Sequence, residues 1–418
     1  MRKRYPAILL SIALIGSLAS GCGKTNDVTS LLETPTVYGE EQNRVETVIK
    51  EYLPVEAQYV TARDDLQKQS IFTEDINQDG TAEIFVLYRD LKDNQQIRLL
   101  MLQETEGNYQ KSFDEGLSIN SLLTFRISDL TGSGNKEILI GGTNSENDTL
   151  NQLFIYEYDG SKLKKKIDRN YEGMDIWDYN RDKSPEVLLL DGEAGKEQRA
   201  ELLKYQKGQL EVISTFTLNP DVSFENIVPG NLSGGERALF ADGGIGAHSM
   251  LTQIITYEDG KLVKIGDDQD KTLFKAYPAY SRDINQDGVI EVAGMYIPKG
   301  YEDAAFAEIP FIYTYVDYDM DGTTKLIEER YEDHGQQFFI KIPKEWNEKV
   351  TVKKSENGVS LLSTEDDSLL FEVSWTAKAA EFDGVKLAET ENTIFYTKEK
   401  VNLPIPKDAF QLFTEELD

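Results

Sequence analysis

The sequence predicts a mainly β fold: a β-propeller of about five four-stranded blades, with six or seven as the alternative, followed by a small α+β domain. Two repeating features lead to this prediction. An acidic loop followed by an apolar strand occurs five times, with starts about 50 residues apart. A hairpin-turn glycine follows each loop, at a nearly constant offset in the first four units. Each unit therefore holds about four short strand patterns, which is the content of one propeller blade.

Composition limits the class of protein. The chain has 418 residues, of which 74 are acidic and 44 basic, so its formal net charge is −30. A hydrophobic content of 39% is enough for a large core and excludes general disorder. The acidic excess excludes nucleic acid as an expected partner, because its phosphates would be repelled. A single cysteine excludes a disulfide framework and a cysteine-rich zinc site.

Residues 1–21 have the features of a secretory signal peptide. The basic segment Arg2–Arg4 precedes an apolar stretch, Ala7–Ala19, that is shorter than the roughly 20 apolar residues of a membrane-spanning helix. The stretch ends in Leu18-Ala19-Ser20-Gly21-Cys22, which resembles a bacterial lipobox. The resemblance implies a lipid on the thiol of Cys22 and a protein anchored on the extracytoplasmic face of the cell membrane. An ordinary signal peptide with a chance cysteine is the alternative.

The elements that follow can be placed in order along the chain. Residues 22–38 are polar and predict a tether. Apolar residues at helical spacing from Val45 to Tyr52 predict a short helix within residues 39–56, and Pro54 ends it. The repeats occupy residues 57–332.

Two segments fall outside the regular units. The strand pattern Ser70–Asp75 precedes the first loop, and we expect it to pair with the fifth unit and close the ring. Residues 333–418 depart from the repeat and predict a small α+β domain. Its strands are followed by a helix predicted after Pro406 and extending through Glu416.

The acidic loops place oxygen-bearing side chains at positions 1, 3, 5 and 9, with glycine at position 6. Alternate residues of a tight loop point inward, so these oxygens can converge on a hard cation such as calcium. An EF-hand needs glutamate at position 12, whereas here the acid stands at position 9 and a strand follows. The candidate ligands of the two best copies are Asp75, Asn77, Asp79, Glu83, Asp283, Asn285, Asp287 and Glu291.

The other copies match less well. The third loop has Lys183 where glycine is expected, and the second keeps two carboxylates and two hydroxyls and predicts weaker binding. Their candidate ligands are Asp178, Asn180, Asp182 and Glu186 in the third loop, and Asp129, Thr131, Ser133 and Glu137 in the second. The fourth copy, from Asn231, has lost its acids and predicts no site. Asp317, Asp319 and Asp321 fall at a hairpin turn and predict a solvated turn. Polar turns held only by Asx hydrogen bonds are the alternative for every loop.

Five such loops in register resemble the FG-GAP/VCBS repeats of integrin-type β-propellers, over residues 57–332. The resemblance implies that the loops bind calcium at blade junctions and that the ions are structural. The union of such repeats with a small carboxy-terminal domain also resembles uncharacterised lipoproteins of Gram-positive bacteria, a family that implies no firm activity.

No phosphate loop, zinc-protease motif or nucleophile elbow occurs in the sequence, so we do not expect an enzyme. His248, in a glycine-rich loop, is a possible ligand contact, with a buried structural histidine as the alternative. The expected function is a membrane-anchored, calcium-braced binding or scaffold module for an extracellular protein or glycan. Two alternatives stay open: an enzyme that acts on cell-wall or extracellular polymers through carboxylates, and a transporter-associated solute-binding lipoprotein.

Overall fold

The structure is a computed structural model that describes residues 40–63, 68–92, 95–143, 151–398, 405–406 and 408–413. The chain contains two compact units, residues 1–52 and 53–418. In the first unit, the helix α1 (Glu40–Tyr52) covers the segment predicted to be helical. The predicted signal peptide and the whole predicted tether, including Cys22, lie outside the described residues. Within those ranges, no helix is long and apolar enough to cross a membrane.

The described part of residues 53–418 forms a series of antiparallel β-sheets in which most consecutive strands are neighbours. The first sheet contains β1 (Ala57–Tyr59), β2 (Ile71–Glu74), β3 (Glu83–Asp90), β4 (Ile97–Thr105) and β5 (Asn108–Gly116). The second contains β6 (Ser121–Ser128), β7 (Glu137–Thr143), β8 (Asn151–Tyr158) and β9 (Leu163–Tyr171). The third contains β10 (Gly173–Trp177), β11 (Glu186–Asp191), β12 (Arg199–Gln206) and β13 (Gln209–Thr217).

The remaining sheets continue the series. The fourth contains β14 (Ser223–Asn231), β15 (Arg237–Ile245), β16 (Ser249–Glu258) and β17 (Lys261–Ile265), with the short β18 (Phe274–Lys275) added to β16. The fifth contains β19 (Val292–Tyr296), β20 (Ile312–Tyr318), β21 (Thr324–Asp333) and β22 (Phe338–Ile342). The sixth contains β23 (Val350–Ser355), β24 (Gly358–Ser363), β25 (Leu369–Ala377), β26 (Val385–Glu389) and β27 (Thr393–Thr397). The last strand, β28 (Phe410–Leu412), returns to pair with β22.

Five consecutive four-stranded meanders are the blades of a β-propeller, so the predicted fold class is confirmed. Apolar packing joins each sheet to the next one. The core between the third and fourth sheets, for example, includes Leu188 and Leu202 on one side and Leu239 and Ile255 on the other. Central strands are therefore buried on both faces, which explains why they read as apolar runs rather than as alternating patterns.

The assignment of strands to units was wrong by one position. The strand β2 pairs with β3 of its own sheet, from Ile71 opposite Val86 to Glu74 opposite Glu83, so Ser70–Asp75 does not pair with the fifth unit. In the first four sheets the acidic loop lies inside the sheet, directly after β2, β6, β10 or β14. In the fifth it precedes β19, with only the bridge between Arg282 and Glu291 before it. The physical reason is the short loop, which favours pairing of the two strands that it joins.

The carboxy-terminal expectations also need correction. The strand β22 lies beyond the expected boundary at residue 332, yet it pairs with β21 and completes the fifth sheet. The helix predicted after Pro406 is wrong in its described part, because Phe410–Leu412 form β28. Pairing with the edge of β22 satisfies backbone groups that a helix would have satisfied internally.

Candidate metal centres

The acidic loops occupy equivalent places, because each ends where β3, β7, β11, β15 or β19 begins. In four of them the backbone N–H at position 2 donates a hydrogen bond to the glutamate at position 9. The pairs are Ile76 and Glu83 (3.1 Å), Leu130 and Glu137 (2.9 Å), Tyr179 and Glu186 (3.0 Å), and Ile284 and Glu291 (2.9 Å). All four glutamates are buried, so each of these loops holds one carboxylate at its base.

The rest of each loop is a tight turn. In the same four loops the N–H at position 6 donates to the aspartate at position 1 over 2.6–3.0 Å. Position 6 has a positive φ, +87° at Gly80 and +85° at Gly288, and Lys183 takes the same conformation at +77°. The Asx hydrogen bonds of the alternative interpretation are therefore present. A cation site requires, in addition, that carboxylate oxygens converge and that no lysine or arginine side chain lies among them.

The fifth loop meets this requirement. Oxygen atoms of Asp283, Asp287 and Glu291 all lie within 4.8 Å of one another, and no described lysine or arginine forms an ion pair with them. The amide Nδ2 of Asn285 donates to Asp287 (3.0 Å) and to Glu291 (2.9 Å), so all four predicted ligands meet. Burial raises the pKa of Glu291 to about 7, and Asp317 and Asp283 add to the rise. Three converging carboxylates and an amide are a ligand set that suits calcium.

Sequence reasoning missed a further carboxylate beside this loop. Asp317 is 5% exposed, so its assignment to a solvated turn was wrong. It belongs to β20, whereas the turn proper begins at Asp319, whose N–H bonds to the carbonyl of Thr323. The Oδ1 atom of Asp317 is buried without a hydrogen-bond partner in the described structure. Burial raises the pKa of Asp317, and the negative charge of Asp287 contributes.

The first loop also has oxygens left over. Glu83 has no exposed surface, and its Oε1 atom and the Oδ1 atom of Asp75 are buried without partners in the described structure. Asn77 and Asp79 complete the predicted set and bond to each other, with Nδ2 of Asn77 3.0 Å from Oδ2 of Asp79. Burial raises the pKa of Glu83, as do the charges of Asp79 and Asp75. Orphaned buried carboxylate oxygens are costly unless a cation or donor satisfies them. Among the described residues, however, three carboxylates converge within 4.8 Å only in the fifth loop, so the first loop fits a cation less well.

The second loop is better satisfied without an ion. The hydroxyl of Thr131 donates to that of Ser133 over 2.8 Å, and Asp129 accepts backbone N–H groups with both of its carboxylate oxygens. Burial raises the pKa of Glu137 to about 7. The two hydroxyls thus stand where the first and fifth loops have an asparagine amide and an aspartate carboxylate.

The third loop contains a lysine. Lys204 of β12 donates to Asp182, and its Nζ atom lies 3.8 Å from Oε1 of Glu186. Asn180 donates to Glu186 over 2.6 Å, and Asp178 accepts the N–H groups of Asp182 and Lys183. The four predicted ligands are together, but a positive charge already lies among them.

The fourth loop has a basic residue where the other four loops have the glutamate of position 9. Arg237 begins β15 at the place where the other loops carry glutamate, and it donates to both carboxylate oxygens of Asp175 over 2.8 and 3.0 Å. Its guanidinium lies 5.0 Å from the ring centre of Trp177. This contact joins the third and fourth sheets directly.

The loops touch one another along the series of sheets. Gln78 of the first loop donates to the carbonyl of Ser133 in the second over 3.0 Å, and Arg181 of the third lies 4.0 Å from Glu236 of the fourth. The N–H of Asn231 in the fourth bonds to the carbonyl of Gly288 in the fifth over 3.1 Å. An ion bound in one loop would therefore stiffen a junction between blades.

His248 lies apart from the acidic loops. It is exposed, so the alternative of a buried structural histidine is wrong, and its role as a ligand contact stays a prediction. Its ring lies 6.2 Å from that of Phe306, which also contacts Tyr277 at 5.4 Å and Phe311 at 5.3 Å. Tyr277 and Phe306 are 43% and 41% exposed, so His248 borders an exposed aromatic surface.

A cavity of about 1230 Å³ lies towards the strand ends opposite the acidic loops. Its lining mixes polar and apolar residues, and five of its seven charged residues are acidic: Glu172, Asp191, Glu193, Glu197 and Glu225, with Arg63 and Lys196 as the basic ones. Burial raises the pKa of Glu172, and the charges of Asp191 and Glu193 raise it further. Asp191 is balanced by Arg169 and Arg199, at 3.5 and 3.4 Å.

No family model and no curated protein matches the chain. Among solved structures, the chain is similar to TolB from Acinetobacter baumannii, with 9% identity and a TM-score of 0.27; the match covers 77% of this chain and 66% of TolB, just under two thirds. It is similar to a rhamnogalacturonan lyase of Bacillus licheniformis, with 12% identity, a TM-score of 0.28 and coverage of 75% and 71%. It is also similar to the β-propeller domain of a trilobed protease from Pyrococcus furiosus, with 11% identity, a TM-score of 0.28 and coverage of 73% and 82%.

Proposed function

We propose that this protein is a calcium-braced propeller that acts as a binding or scaffold module outside the cell, anchored to the membrane through a lipid on Cys22. The observation that carries the proposal is the fifth loop, in which Asp283, Asp287 and Glu291 converge within 4.8 Å. Calcium bound there would neutralise carboxylates that otherwise repel one another. Such ions would be structural, since they would hold adjacent blades in register.

Calcium removal tests the brace. Extracellular calcium modules bind at roughly 0.1–1 mM, and an ion at tenfold excess over its dissociation constant adds about 1.4 kcal/mol of stability. We expect a chelator to lower the melting temperature of residues 23–418, and Asp79→Ala combined with Asp287→Ala to remove that response. Asp321→Ala is the matched control, because Asp321 is exposed in a hairpin turn. An unchanged melting temperature with chelator would refute the metal brace.

The anchor has a separate test. Cys22→Ser removes the thiol that would carry the lipid, so the full chain should move from the membrane fraction to the soluble extracytoplasmic fraction. Retention of the Cys22→Ser variant on membranes would contradict the lipid anchor and leave the metal brace unaffected.

The exposed aromatic surface around His248 supports a binding role. Flat rings with exposed faces bind sugar rings or apolar side chains of a partner. We expect the combined change Tyr277→Ala and Phe306→Ala to abolish capture of envelope proteins or wall glycans by the unlipidated protein, with Trp177→Ala as a control at another site. Equal capture by both variants would show that this surface does not contact the partner.

The cavity favours a second candidate, an enzyme that acts on extracellular polymers through carboxylates. A carboxylate with a raised pKa in a cavity is typical of a general acid, and the pKa of the half-buried Glu172, which lines this cavity, is raised. The test is release of reducing ends from purified wall polysaccharides. Activity that Glu172→Gln abolishes would support this candidate, and no activity in the wild type would count against it.

A further inference from the structure

The strand that pairs with each loop glutamate places one more side chain against the loop. Val187 pairs with Leu203 and Val292 with Val316, which sets Lys204 opposite Glu186 and Asp317 opposite Glu291. By the same register, Gln103 faces Glu83 in the first sheet, and Glu157 faces Glu137 in the second. We call this the facing position. Directly opposite residues have neighbouring β-carbons, so a charge there acts on the loop.

We propose that the facing position decides which loops take a metal: Lys204 supplies the third loop with an internal cation in place of calcium, and Asp317 adds a carboxylate to the calcium site of the fifth. The inference rests on the proposed calcium brace. It assigns a new role to two residues that lie outside the repeated motif.

The contacts of Lys204 place its ammonium group among the loop carboxylates, where a bound cation would otherwise lie. Its side chain is only 19% exposed, and it bonds to Asp182 and lies 3.8 Å from Glu186, which are positions 5 and 9 of the loop. A divalent ion among the same oxygens would meet a like charge in a poorly solvated place. Calcium binding in this loop would thus require Lys204 to leave.

The contacts of Asp317 show the opposite situation. Its Oδ1 atom is buried without a partner, and its other oxygen lies 3.6 Å from Nζ of Lys325, whose side chain is 75% exposed. An exposed lysine at that distance compensates a buried carboxylate only weakly. The facing carboxylate of the second loop, Glu157, is in contrast paired with Lys166 at 2.8 Å. The fifth loop therefore carries one more negative charge than its motif, and this charge is the less well compensated of the two.

Exchange of the two facing residues tests the inference. The measurements are the number of calcium ions bound, by titration calorimetry of residues 23–418, and the calcium-dependent rise in melting temperature. Lys204→Gln gives the third loop the residue that the first loop has naturally, and it should add one bound ion. Asp317→Lys copies the third loop into the fifth, and it should remove one. Lys164→Gln, at an exposed position of β9, and Asp321→Asn, in an exposed turn, should leave the count unchanged.

The outcomes distinguish a failure of the facing-position inference from a failure of the calcium brace. A gain for Lys204→Gln and a loss for Asp317→Lys would support the role of the facing position. If the wild type binds calcium and Lys204→Gln leaves the count unchanged, this inference is overturned and the brace stands. If the wild type binds no calcium, the brace itself fails, and this inference fails with it. Should Asp317→Lys fail to fold, Asp317→Asn should weaken binding at one site at least tenfold, and unchanged affinity would overturn the role of Asp317.

Discussion

Lys275 and Asp242 form an ion pair inside the fourth sheet, and neither side chain has exposed surface. Nζ of Lys275 lies 3.0 Å from Oδ1 of Asp242, which also accepts hydrogen bonds from Thr252, Ser281 and Asn226. Such a pair is maintained because every oxygen is satisfied. It ties the fourth sheet to the segment that leads into the fifth loop.

Removal of one partner should therefore be severe. We expect Lys275→Met to lower the free energy of unfolding by about 3–5 kcal/mol, because Asp242 would be left buried and uncompensated. Lys264→Met is the control: it removes a partly exposed pair with Asp268 and should cost less than about 1 kcal/mol. Urea unfolding of both variants measures the difference, and equal losses would contradict this account of the pair.

Residue by residue, the sequence predicted one loop better than its surroundings. Positions 1, 5 and 9 of the fifth loop come together, and Asn285 at position 3 bonds to two of them, because short-range turn geometry fixes them. That these side chains bind a metal stays a prediction. Lys204 and Asp317 escaped prediction because they reach the loops through strand pairing, which the motif does not contain. Their positions could be found by counting residues along the paired strands, since each residue stands opposite a loop glutamate once the strand register is known.

At the scale of the element, the third acidic loop forms the same turn as the first, second and fifth loops, although a lysine stands where they have glycine. Lys183 has a φ of +77° at the position where three other loops have glycine. A non-glycine residue in the left-handed region costs about 1–2 kcal/mol, and the greater freedom of glycine in the unfolded chain offsets part of that.

Lys183→Gly should accordingly stabilise the protein by roughly 0.5–1 kcal/mol. Lys183→Ala removes the same side chain without relief of the backbone, so it should show no such gain. Urea midpoints of the two variants separate the conformational effect from the loss of charge. A gain of equal size in both would assign the effect to the lysine charge instead.

Strand number per repeat was predictable, but the grouping of strands was not. A repeat of about 50 residues has no intrinsic start, so the sequence alone cannot say which four strands share a sheet. Strand pairing decides this point, and β2 with β3 shows that the sheet begins one strand before the acidic loop. The fifth sheet differs, because its four strands β19 to β22 all follow the loop and β22 lies beyond the expected boundary at residue 332.

At the scale of residues 53–418, apolar cores connect each sheet to the next, and this continuity extends past the fifth sheet. One core combines Tyr331 and Ile340 of the fifth sheet with Val352 and Phe371 of the sixth. The sequence predicted a separate domain here because the acidic repeat ends. The end of a motif does not mark the end of a core, since apolar packing needs no particular motif.

Phe338 is the residue on which this junction can be tested. Its ring is fully buried and lies 5.0 Å from that of Phe410, 5.5 Å from Phe395 and 6.0 Å from Trp375. Phe338 lies in β22 of the fifth sheet, whereas two of the three rings that it contacts, Phe395 and Trp375, lie in strands of the sixth. We expect Phe338→Ala to cost about 3–5 kcal/mol through the lost burial and the cavity left behind.

The shape of the transition then distinguishes one cooperative unit from two domains. If the fifth and sixth sheets unfold together, Phe338→Ala should move a single transition seen alike by tryptophan fluorescence and circular dichroism. Phe306→Ala, at a ring that is 41% exposed, should shift it far less. Independent unfolding of the sixth sheet would instead give Phe338→Ala an early transition for Trp375 while the remaining strands stay folded. In that case the domain boundary expected near residue 333 would also separate two parts of the chain that unfold independently, despite their shared core.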